Sequence, residues 1–364
     1  MPELFSPFKL KHVELRNRIA VPPMCQYSAE DGVANDWHTV HYGALARGGA
    51  GLVIVEATAV APEGRITPRC LGIWNDEQAE QLKKVADQIK AAGSVAGIQI
   101  AHAGRKASAN TPWEGDDHIP ESAPNAWQPI GPSGIAFGKD LPRVPQEMSI
   151  ADIQKTQQDF VKAAERARDA GYEWLELHFA HGYLAQSFFS KHSNQRTDEY
   201  GGSFENRSRF LLETLQAVKA VWPENLPLTV RFGVIEYDGQ DEETVAESIQ
   251  LIQQFKQHGV DLVSVSVGFT IPETNIPWGD GFLADVSERV RRETGLPVAS
   301  AWGFAKAEVA ASVVKNEQLD VVMIGRAMLA SPHYPYTLAQ QLNVDKPSWV
   351  LPAPYAHWLE RYSI

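Results

Sequence analysis

The sequence predicts one (β/α)8 TIM barrel over residues 1–364, with extended loops on its carboxyl-terminal face. Eight short apolar runs rich in β-branched residues alternate with amphipathic segments, a pattern typical of parallel strands that are buried on both faces and joined by helices. Eight strand–helix units fit a closed barrel. A doubly wound sheet is the alternative, but the first predicted strand is followed by PPMCQY and not by a Gly-rich fingerprint.

The predicted elements follow one another in regular order along the chain. Strands are expected at residues 18–21, 51–56, 95–100, 173–178, 228–232, 261–267, 297–301 and 320–324. Helices are expected at residues 75–92, 149–170, 203–221, 241–258, 284–294, 306–316 and 326–342. Ser, Asn and Asp stand at several helix starts and Gly at several helix ends, which is the usual punctuation of helices.

Two loops are longer than a barrel requires. Residues 101–148 contain Trp113 and Trp127, and residues 268–283 form the second long loop. Both follow strands, so both are expected on the carboxyl-terminal face, where long structured loops usually shape a substrate-binding mouth or act as lids. The tryptophans argue against a disordered insertion.

The tail at residues 343–364 begins after the last predicted helix. Its prolines prevent one long helix, yet Trp349, Tyr355, Trp358 and Tyr362 make it too aromatic for a disordered end. Such side chains need cover, either from the chain's own barrel or from another subunit.

Composition narrows the classes of function. A formal net charge of −12 and a pI near 5.4 argue against nucleic acid or an anionic membrane as a partner. No apolar run reaches membrane-spanning length and the first residues lack the apolar core of a secretion signal, so a cytoplasmic location is expected. Cys25 and Cys70 are too few for a four-thiolate iron–sulfur cluster or a cysteine-rich zinc module, and no metal site is predicted.

The strongest functional signal lies at the end of the fourth predicted strand. His178 and His181 stand three residues apart there and are followed by Gly182 and Tyr183. Polar, titratable groups at the end of a buried strand are costly unless they are hydrogen-bonded, and strand ends are where α/β folds build binding sites. A hydrogen-bonded structural histidine is the simpler explanation for either His alone, but the four residues together favour a site.

The other strand ends supply further candidates, which a barrel would gather at one mouth. They are Pro23, Met24, Cys25, Tyr27, Ala57, Thr58, Gln99, His102, Arg231, Ala301, Trp302, Gly325 and Arg326. Arg231 lies within an apolar strand, so it needs either an anionic ligand or a structural ion pair with Asp or Glu. Gly303 and Gly325 allow close backbone approach and Arg326 can bind phosphate oxygens, so the last two units predict a phosphate site.

Several motifs together resemble the old yellow enzyme family of flavin-dependent ene-reductases, most closely its thermophilic-like bacterial class. The motifs are LRNRIAVPPMCQY at the first strand, EATAV at the second, HAGRKAS after the third, HFAHGYL at residues 178–184, NQRTDEYGGSFENRSRF at residues 194–210 and GR at residues 325–326. The resemblance covers essentially the whole chain. Gln186 and Ser187 depart from the His-Gln of many relatives, which is expected to affect packing beside the pocket but not the histidine pair.

The resemblance implies non-covalent FMN in the barrel mouth and NADPH, or NADH, as the reductant. The residues that it implies in FMN binding are Pro23, Met24, Cys25, Ala57, Gln99, His178, Arg231, Ala301, Trp302, Gly303, Gly325 and Arg326. Arg231 is expected near N1 and the C2 carbonyl of the flavin, because a fixed guanidinium stabilises the negative charge of the reduced ring.

The resemblance also implies ping-pong reduction of the activated C=C bond of an α,β-unsaturated carbonyl, or of a nitro compound. His178 and His181 would bind the substrate oxygen, and Tyr183 would donate a proton. Tyr27 and Trp302 would border the substrate pocket.

Two further expectations follow from the resemblance. Cys25 beside the flavin would tune its redox potential, with simple burial as the alternative explanation for this thiol. In relatives the tail contacts a neighbouring subunit, so a homodimer or homotetramer is expected in which Trp358 helps to wall the substrate pocket of the partner.

Two alternatives from other classes of function stay open. A cofactor-free phosphate-binding barrel, such as an aldolase or isomerase, would need a catalytic Lys or Glu at a strand end, and the strand ends here offer His, Tyr, Arg and Trp but no Lys. A non-catalytic flavin-binding protein would have no need of His178, His181 and Tyr183 at one mouth.

Overall fold

Eight parallel strands close into a barrel in the computed structural model, which describes residues 3–362. The barrel strands, numbered together with the short strands outside the barrel, are β3 (Ile19–Val21), β4 (Leu52–Ala59), β5 (Val95–Ala101), β8 (Trp174–Phe179), β9 (Leu228–Ile235), β10 (Leu262–Val267), β11 (Val298–Ser300) and β12 (Val321–Met323). Successive barrel strands pair in parallel, and β12 closes the ring by pairing with β3. The predicted fold class and all eight predicted strands are confirmed.

Helices lie between the strands of the barrel and after the last of them. They are α1 (Asp36–Arg47), α2 (Asp76–Ala91), α3 (Ile150–Asp169), α4 (Leu184–Phe189), α5 (Phe204–Lys219), α6 (Asp241–Gln257), α7 (Ala284–Thr294), α8 (Ala307–Lys315), α9 (Arg326–Ala330), α10 (Tyr334–Gln341) and α11 (Ala353–Leu359). Within residues 3–362, none of these helices combines the length and the apolar character needed to cross a bilayer.

Capping residues explain why two of the predicted helices begin where they do. The side chain of Asn75 accepts the N–H of Gln78, and the side chain of Gln78 accepts the N–H of Asn75 in return. Ser149 and Asp152 form the same reciprocal pair at the start of α3. Such capping boxes satisfy two otherwise unpaired backbone donors, and each cap contributes roughly 1 kcal/mol.

The structure departs from the helix predictions, since α1, α4 and α11 were not predicted and one predicted helix is divided. No helix was predicted between the first two strands, yet α1 lies there; its exposed Trp37 and Val40 alternate with buried His38 and Tyr42, so no apolar stripe marks its inner face. The single helix predicted at residues 326–342 is broken into α9 and α10, because a proline at position 332 interrupts the backbone hydrogen bonding between them.

An amino-terminal hairpin closes one end of the barrel. It consists of β1 (Phe8–Leu10) paired antiparallel with β2 (Val13–Leu15). Phe8, Val13 and Leu15 share one apolar cluster with Trp174 and with the first residues of β4, β10 and β12, all of which face the barrel interior. The amino ends of the strands are therefore plugged by apolar side chains, and the carboxyl ends remain as the open face.

The two long loops and the tail are structured. Short parallel strands β6 (Ile130–Gly131) and β7 (Gln146–Glu147) lie in the loop after β5. In the tail, a 3-10 turn at Pro347–Val350 precedes α11, and the carbonyl oxygen of Val350 lies close to Gly49 beside the amino end of β4. The four tail aromatics are exposed, Trp358 most of all at 76% and Tyr355 least at 38%, so this chain covers them only in part.

Candidate functional site

The chain turns sharply after β8 and brings three predicted site residues together. His178 is the next-to-last residue of β8. His181 and Gly182, in the turn, have left-handed backbone conformations with φ of 63° and 66°. The ring of His178 lies 4.9 Å from that of His181 and 5.0 Å from that of Tyr183, between centroids. A non-glycine residue in the left-handed region is strained by about 1–3 kcal/mol, a cost that persists mainly where a particular side-chain position is required.

Both histidines are held in the neutral form. Burial, together with the positive charge of Arg231, holds the pKa of His178 and of His181 well below the ordinary histidine value. Nε2 of His181 lies 2.8 Å from the hydroxyl oxygen of Ser266 in β10, which orients the ring. A neutral imidazole carries one N–H, so each ring can offer one uncharged donor to a substrate oxygen; for His181 this requires the Ser266 hydroxyl to donate to Nε2, which leaves the N–H on Nδ1.

Lys106, from the 3-10 turn Gly104–Lys106 beyond the end of β5, also reaches this turn. Its Nζ donates to the carbonyl oxygen of His181 at 2.8 Å and to that of Phe269 at 2.7 Å. Burial and then the neighbouring Arg105 lower the pKa of Lys106 to about 7. The amine is committed to two backbone carbonyls, so its role is to hold the turn. Lys106 belongs to the HAGRKAS motif, but the sequence of a loop does not indicate whether its lysine will be buried.

Buried polar atoms on β5, β8 and β9 fit the edge of a polar ring such as a flavin. Gln99 donates to Oε1 of Glu176 at 2.7 Å, whereas Oε2 of Glu176, Nε of Arg231 and Nδ1 of His178 lack partners among residues 3–362. The ion-pair alternative for Arg231 is not realised within the described chain, since no carboxylate lies within 4 Å of it there. Such buried groups are costly unless a ligand satisfies them.

Glu176 was not predicted as a site residue. It is fully buried beside Gln99 and Arg231, and burial raises its pKa to about 7 although Arg231 acts in the opposite direction. The only sequence signal was a Glu inside the apolar run EWLELHF.

The strands β11 and β12 end in a narrow backbone cradle. Gly303 is left-handed with φ of 78°, and a Cβ there would lie 2.2 Å from the carbonyl oxygen of Gly279. A Cβ on Gly325 would lie 3.0 Å from the sulfur of Met24, so the turn after β3 closes over this position. Arg326 follows with an exposed side chain. The predicted phosphate residues thus follow two neighbouring strands, and glycine is required at position 303, where φ is positive and a Cβ would meet backbone atoms.

The turn after β3 and the end of β4 form the neighbouring wall. Cys25 and Tyr27 are half-buried, and Pro23 beside them is half-buried as well. Ala57 lines a cavity together with Tyr183 and Cys70. Cys70 is buried behind this wall, and burial raises its pKa to about 11.

Aromatic rings border the opposite side of the turn. Trp302, which is left-handed with φ of 80°, lies 6.5 Å from the ring of His181 and 5.5 Å from that of Trp278. Phe269 lies 5.6 Å from His181. Ala301 precedes Trp302 and is buried. The loop at residues 268–283 therefore contributes aromatic side chains to the mouth, as predicted for a loop on this face.

Gln186 and Trp358, which were also singled out from the sequence, lie in different parts of the structure. Gln186 accepts the N–H of Gly233 at 3.0 Å and donates to its carbonyl oxygen at 3.2 Å, so it fastens α4 to β9 without disturbing the histidines. Trp358 is not brought to this site within the chain. Its ring contacts His357 on α11, in the tail beside the amino end of β4.

Comparison with known proteins agrees with this geometry. Residues 3–345 match the family described as NADH:flavin oxidoreductase / NADH oxidase. The NADPH dehydrogenase of Geobacillus thermodenitrificans (strain NG80-2) is 41% identical over 343 residues, which cover 94% of this chain and 95% of that protein. The NADPH dehydrogenase of Bacillus subtilis (strain 168) is 40% identical over 348 residues, covering 95% and 97%. The structure of morphinone reductase matches with a TM-score of 0.78 at 26% identity, covering 98% of this chain and 95% of that chain.

The barrel and its polar mouth thus define an oxidoreductase that couples a flavin to a reduced nicotinamide nucleotide. The chain belongs to the NADH:flavin oxidoreductase / NADH oxidase family, the family of the old yellow enzymes, and the resemblance stated from its motifs is confirmed.

Proposed function

We propose that the protein is an FMN-dependent ene-reductase that uses NADPH as its reductant. Its substrates would be α,β-unsaturated carbonyl compounds, whose activated C=C bonds it would reduce, and nitro compounds. The observation that carries this proposal is the juxtaposition of two neutral histidines and Tyr183 with the buried, unsatisfied polar edge formed by Glu176 and Arg231. The histidines and Tyr183 could hydrogen-bond a substrate oxygen, and Glu176 and Arg231 could hydrogen-bond the polar edge of a flavin ring.

The residues that would hold FMN lie around one mouth. Gln99 and Arg231 would bind the polar edge of its ring, and Ala57 with the turn at residues 23–25 would line its rim. Gly303, Gly325 and Arg326 would bind the phosphate, and Ala301, Trp302 and His178 would complete the site. When bound, the flavin supplies hydride transfer, from the nicotinamide to the flavin and then from the flavin to the substrate.

The chain's own residues would bind and protonate the substrate. His178 and His181 donate N–H groups to the carbonyl or nitro oxygen, where negative charge develops, and their neutrality avoids a competing proton transfer. Burial keeps the pKa of Tyr183 above the ordinary tyrosine value, so its hydroxyl stays protonated and can donate a proton to the substrate carbon. Tyr27 and Trp302 would border the substrate.

Spectroscopy on the purified protein tests this proposal. We expect a yellow protein that releases FMN on denaturation, bleaches when NADPH is added without oxygen, and regains its colour when an enone is added. A colourless protein that cannot be reconstituted with FMN would favour the cofactor-free barrel enzyme. A yellow protein that neither NADPH nor NADH reduces would favour flavin storage.

The tail at residues 343–364 supports a second part of the proposal, a homodimer or homotetramer built on a one-domain chain. Trp349, Trp358 and Tyr362 are 49%, 76% and 58% exposed, which is unusual for large aromatics clustered on one segment. A partner subunit would cover them, and Trp358 would then wall the partner's substrate pocket. Deleting residues 345–364 should lower the mass in sedimentation and weaken enone binding while FMN stays bound. Unchanged mass and affinity would rule this out.

A further inference from the structure

Glu56 is a fully buried carboxylate that the proposed chemistry does not use. It lies in β4 immediately before Ala57, where the pairing of β4 with β5 shifts register between Val55 and Thr58. Its backbone is thus next to the wall of the candidate flavin site, whereas its side chain extends towards α1, where it meets Tyr42. A buried carboxylate is costly unless it is well hydrogen-bonded, and this one is.

The carboxylate of Glu56 holds the turn that carries Cys25 and Tyr27. Its Oε2 accepts the backbone N–H of Gln26 at 2.7 Å, a bond that reaches from β4 to the turn after β3. Its Oε1 accepts the hydroxyl of Tyr42 at 3.0 Å, and the same hydroxyl oxygen accepts the N–H of Glu56 at 2.9 Å. Gln26 lies between the two candidate site residues, and Tyr27 is left-handed with φ of 49°, so the bond secures the turn where its backbone is strained.

The groups around Glu56 keep a constant charge near neutral pH. From α1 they are His38, His41 and Tyr42, and from the neighbouring turns they are Cys25, Tyr27 and Cys70. Burial lowers the pKa of His38 and of His41 to about 4, so His38 is neutral although its Nε2 lies 3.7 Å from Oε1 of Glu56. Burial raises the pKa values of both thiols and both phenols above their ordinary values, so these groups stay protonated.

Glu56 itself changes charge in this range. Burial raises its pKa to about 7, and hydrogen bonds from Gln26, Tyr42 and Tyr27 limit the rise because they favour the ionised form. The carboxylate therefore goes from neutral to negative between about pH 6 and pH 8, next to Ala57 and beneath the turn at residues 25–27.

We propose that Glu56 is a positioning residue for the flavin side of the mouth, fixing the turn at residues 25–27 through Gln26 and setting by its own charge how readily a bound flavin is reduced. The inference rests on the proposed function in one respect, that a flavin binds beside this turn. The direction follows from Coulomb's law: a negative charge buried behind the turn at residues 25–27 opposes the added negative charge of a reduced flavin on the other side of that turn, so ionised Glu56 lowers the flavin midpoint potential.

Redox titration of the FMN-loaded protein at pH 6, 7 and 8 tests this inference. In Glu56→Gln the charge is absent at every pH. At pH 8, where wild-type Glu56 is ionised, we expect the variant to have a more positive midpoint potential than the wild type. At pH 6, where wild-type Glu56 is protonated, the two potentials should converge. Equal differences at pH 6 and pH 8, or none at either, would overturn the charge coupling.

Glu213→Gln is the matched control. Glu213 accepts the hydroxyl of Tyr200 at 2.8 Å, as Glu56 accepts that of Tyr42, but it lies on α5 on the outside of the barrel. Its substitution should leave the potential at the wild-type value at each pH. If Glu213→Gln shifted the flavin midpoint potential as much as Glu56→Gln, loss of any buried or half-buried carboxylate would be enough to change the potential. The specific role of Glu56 would then be overturned.

A second variant keeps the test decisive if Glu56→Gln fails to fold. Tyr42→Phe removes one donor to the ionised carboxylate and keeps Glu56, so the step in the potential should move to higher pH. An unmoved step would overturn the inference. Chemical reduction with dithionite and reference dyes needs no NADPH, so the potentials are measurable even if the nucleotide does not reduce the protein. In that event the proposed reductase activity fails and the role of Glu56 is still decided.

Discussion

The two ends of the barrel differ in the polarity of their buried side chains. At the amino end, the hairpin residues Phe8 and Leu15 and the strand residue Trp174 form a dry apolar cluster that needs no ligand. At the carboxyl end, left-handed His181 and Trp302 surround buried polar atoms that lack partners within residues 3–362. One end therefore contributes stability, whereas the other carries strain and unsatisfied groups that a flavin and a substrate would relieve. Substitutions at the two ends should accordingly separate stability from chemistry.

His178→Ala should give the largest effect at the carboxyl end. Removal of one donor to the substrate oxygen typically reduces kcat by ~10²–10³. FMN content should fall much less than kcat, because Gln99, Arg231 and the phosphate residues would still hold the flavin. Steady-state kinetics with an enone, together with the flavin-to-protein absorbance ratio, measures both. His258→Ala, on the outer surface, should retain full activity. A loss of only two- or threefold would exclude His178 as an oxygen-binding donor.

Trp174→Ala should produce the converse result at the amino end. The side chain is 1% exposed within the plug cluster, and its truncation should cost ~3–5 kcal/mol of unfolding free energy. Urea denaturation would measure that loss. The turnover per bound flavin in the folded fraction should match wild type, because the cluster lies at the closed end. A fall in turnover with unchanged stability would break the separation of the two ends.

Lys106→Met should have an intermediate effect and should lower both the stability of the fold and kcat. The carbonyl oxygens of His181 and Phe269 would lose a buried donor, at roughly 1–3 kcal/mol for each, and His181 would be held less firmly. We expect a lower melting temperature and a drop in kcat of about tenfold, the rate equivalent of some 1.4 kcal/mol. Lys83→Met, in an exposed ion pair with Asp87, is the control and should change neither. A fall in stability without any change in kcat would make Lys106 purely structural.

Cys25→Ser should give the smallest effect. The thiol is half-buried, and its replacement by a hydroxyl of similar size should preserve folding and FMN binding. We expect a shifted flavin midpoint potential and unequal changes in the rates of flavin reduction and reoxidation, measured by stopped-flow absorbance. Identical potentials in the two proteins would return Cys25 to a packing role.

The apolar end was easier to predict from sequence than the polar end. Buried strands such as Leu262–Val267 are evident because β-branched runs have few other uses, and the motif at His178 to Tyr183 marked the central turn. Lys106, Glu176 and Glu56 were missed as functional groups, since a charged residue does not reveal whether it will be buried. Its role depends on atoms from distant segments, as when Gln26 meets Glu56. The α1 helix was missed because buried His38 and exposed Trp37 reverse the usual pattern.

The hairpin that plugs the barrel has a consequence for the order of folding. Phe8 and Leu15 are made before every strand they contact, yet their cluster includes Trp174, Leu262 and Val321 from the middle and the end of the chain. Because Val321 lies near the end of the chain, the hairpin cannot complete this cluster until β12 has been synthesised. Part of its apolar face therefore waits for a late partner. Removal of the hairpin would uncover the apolar residues at the amino end of the finished barrel, and we expect such a truncated protein to aggregate.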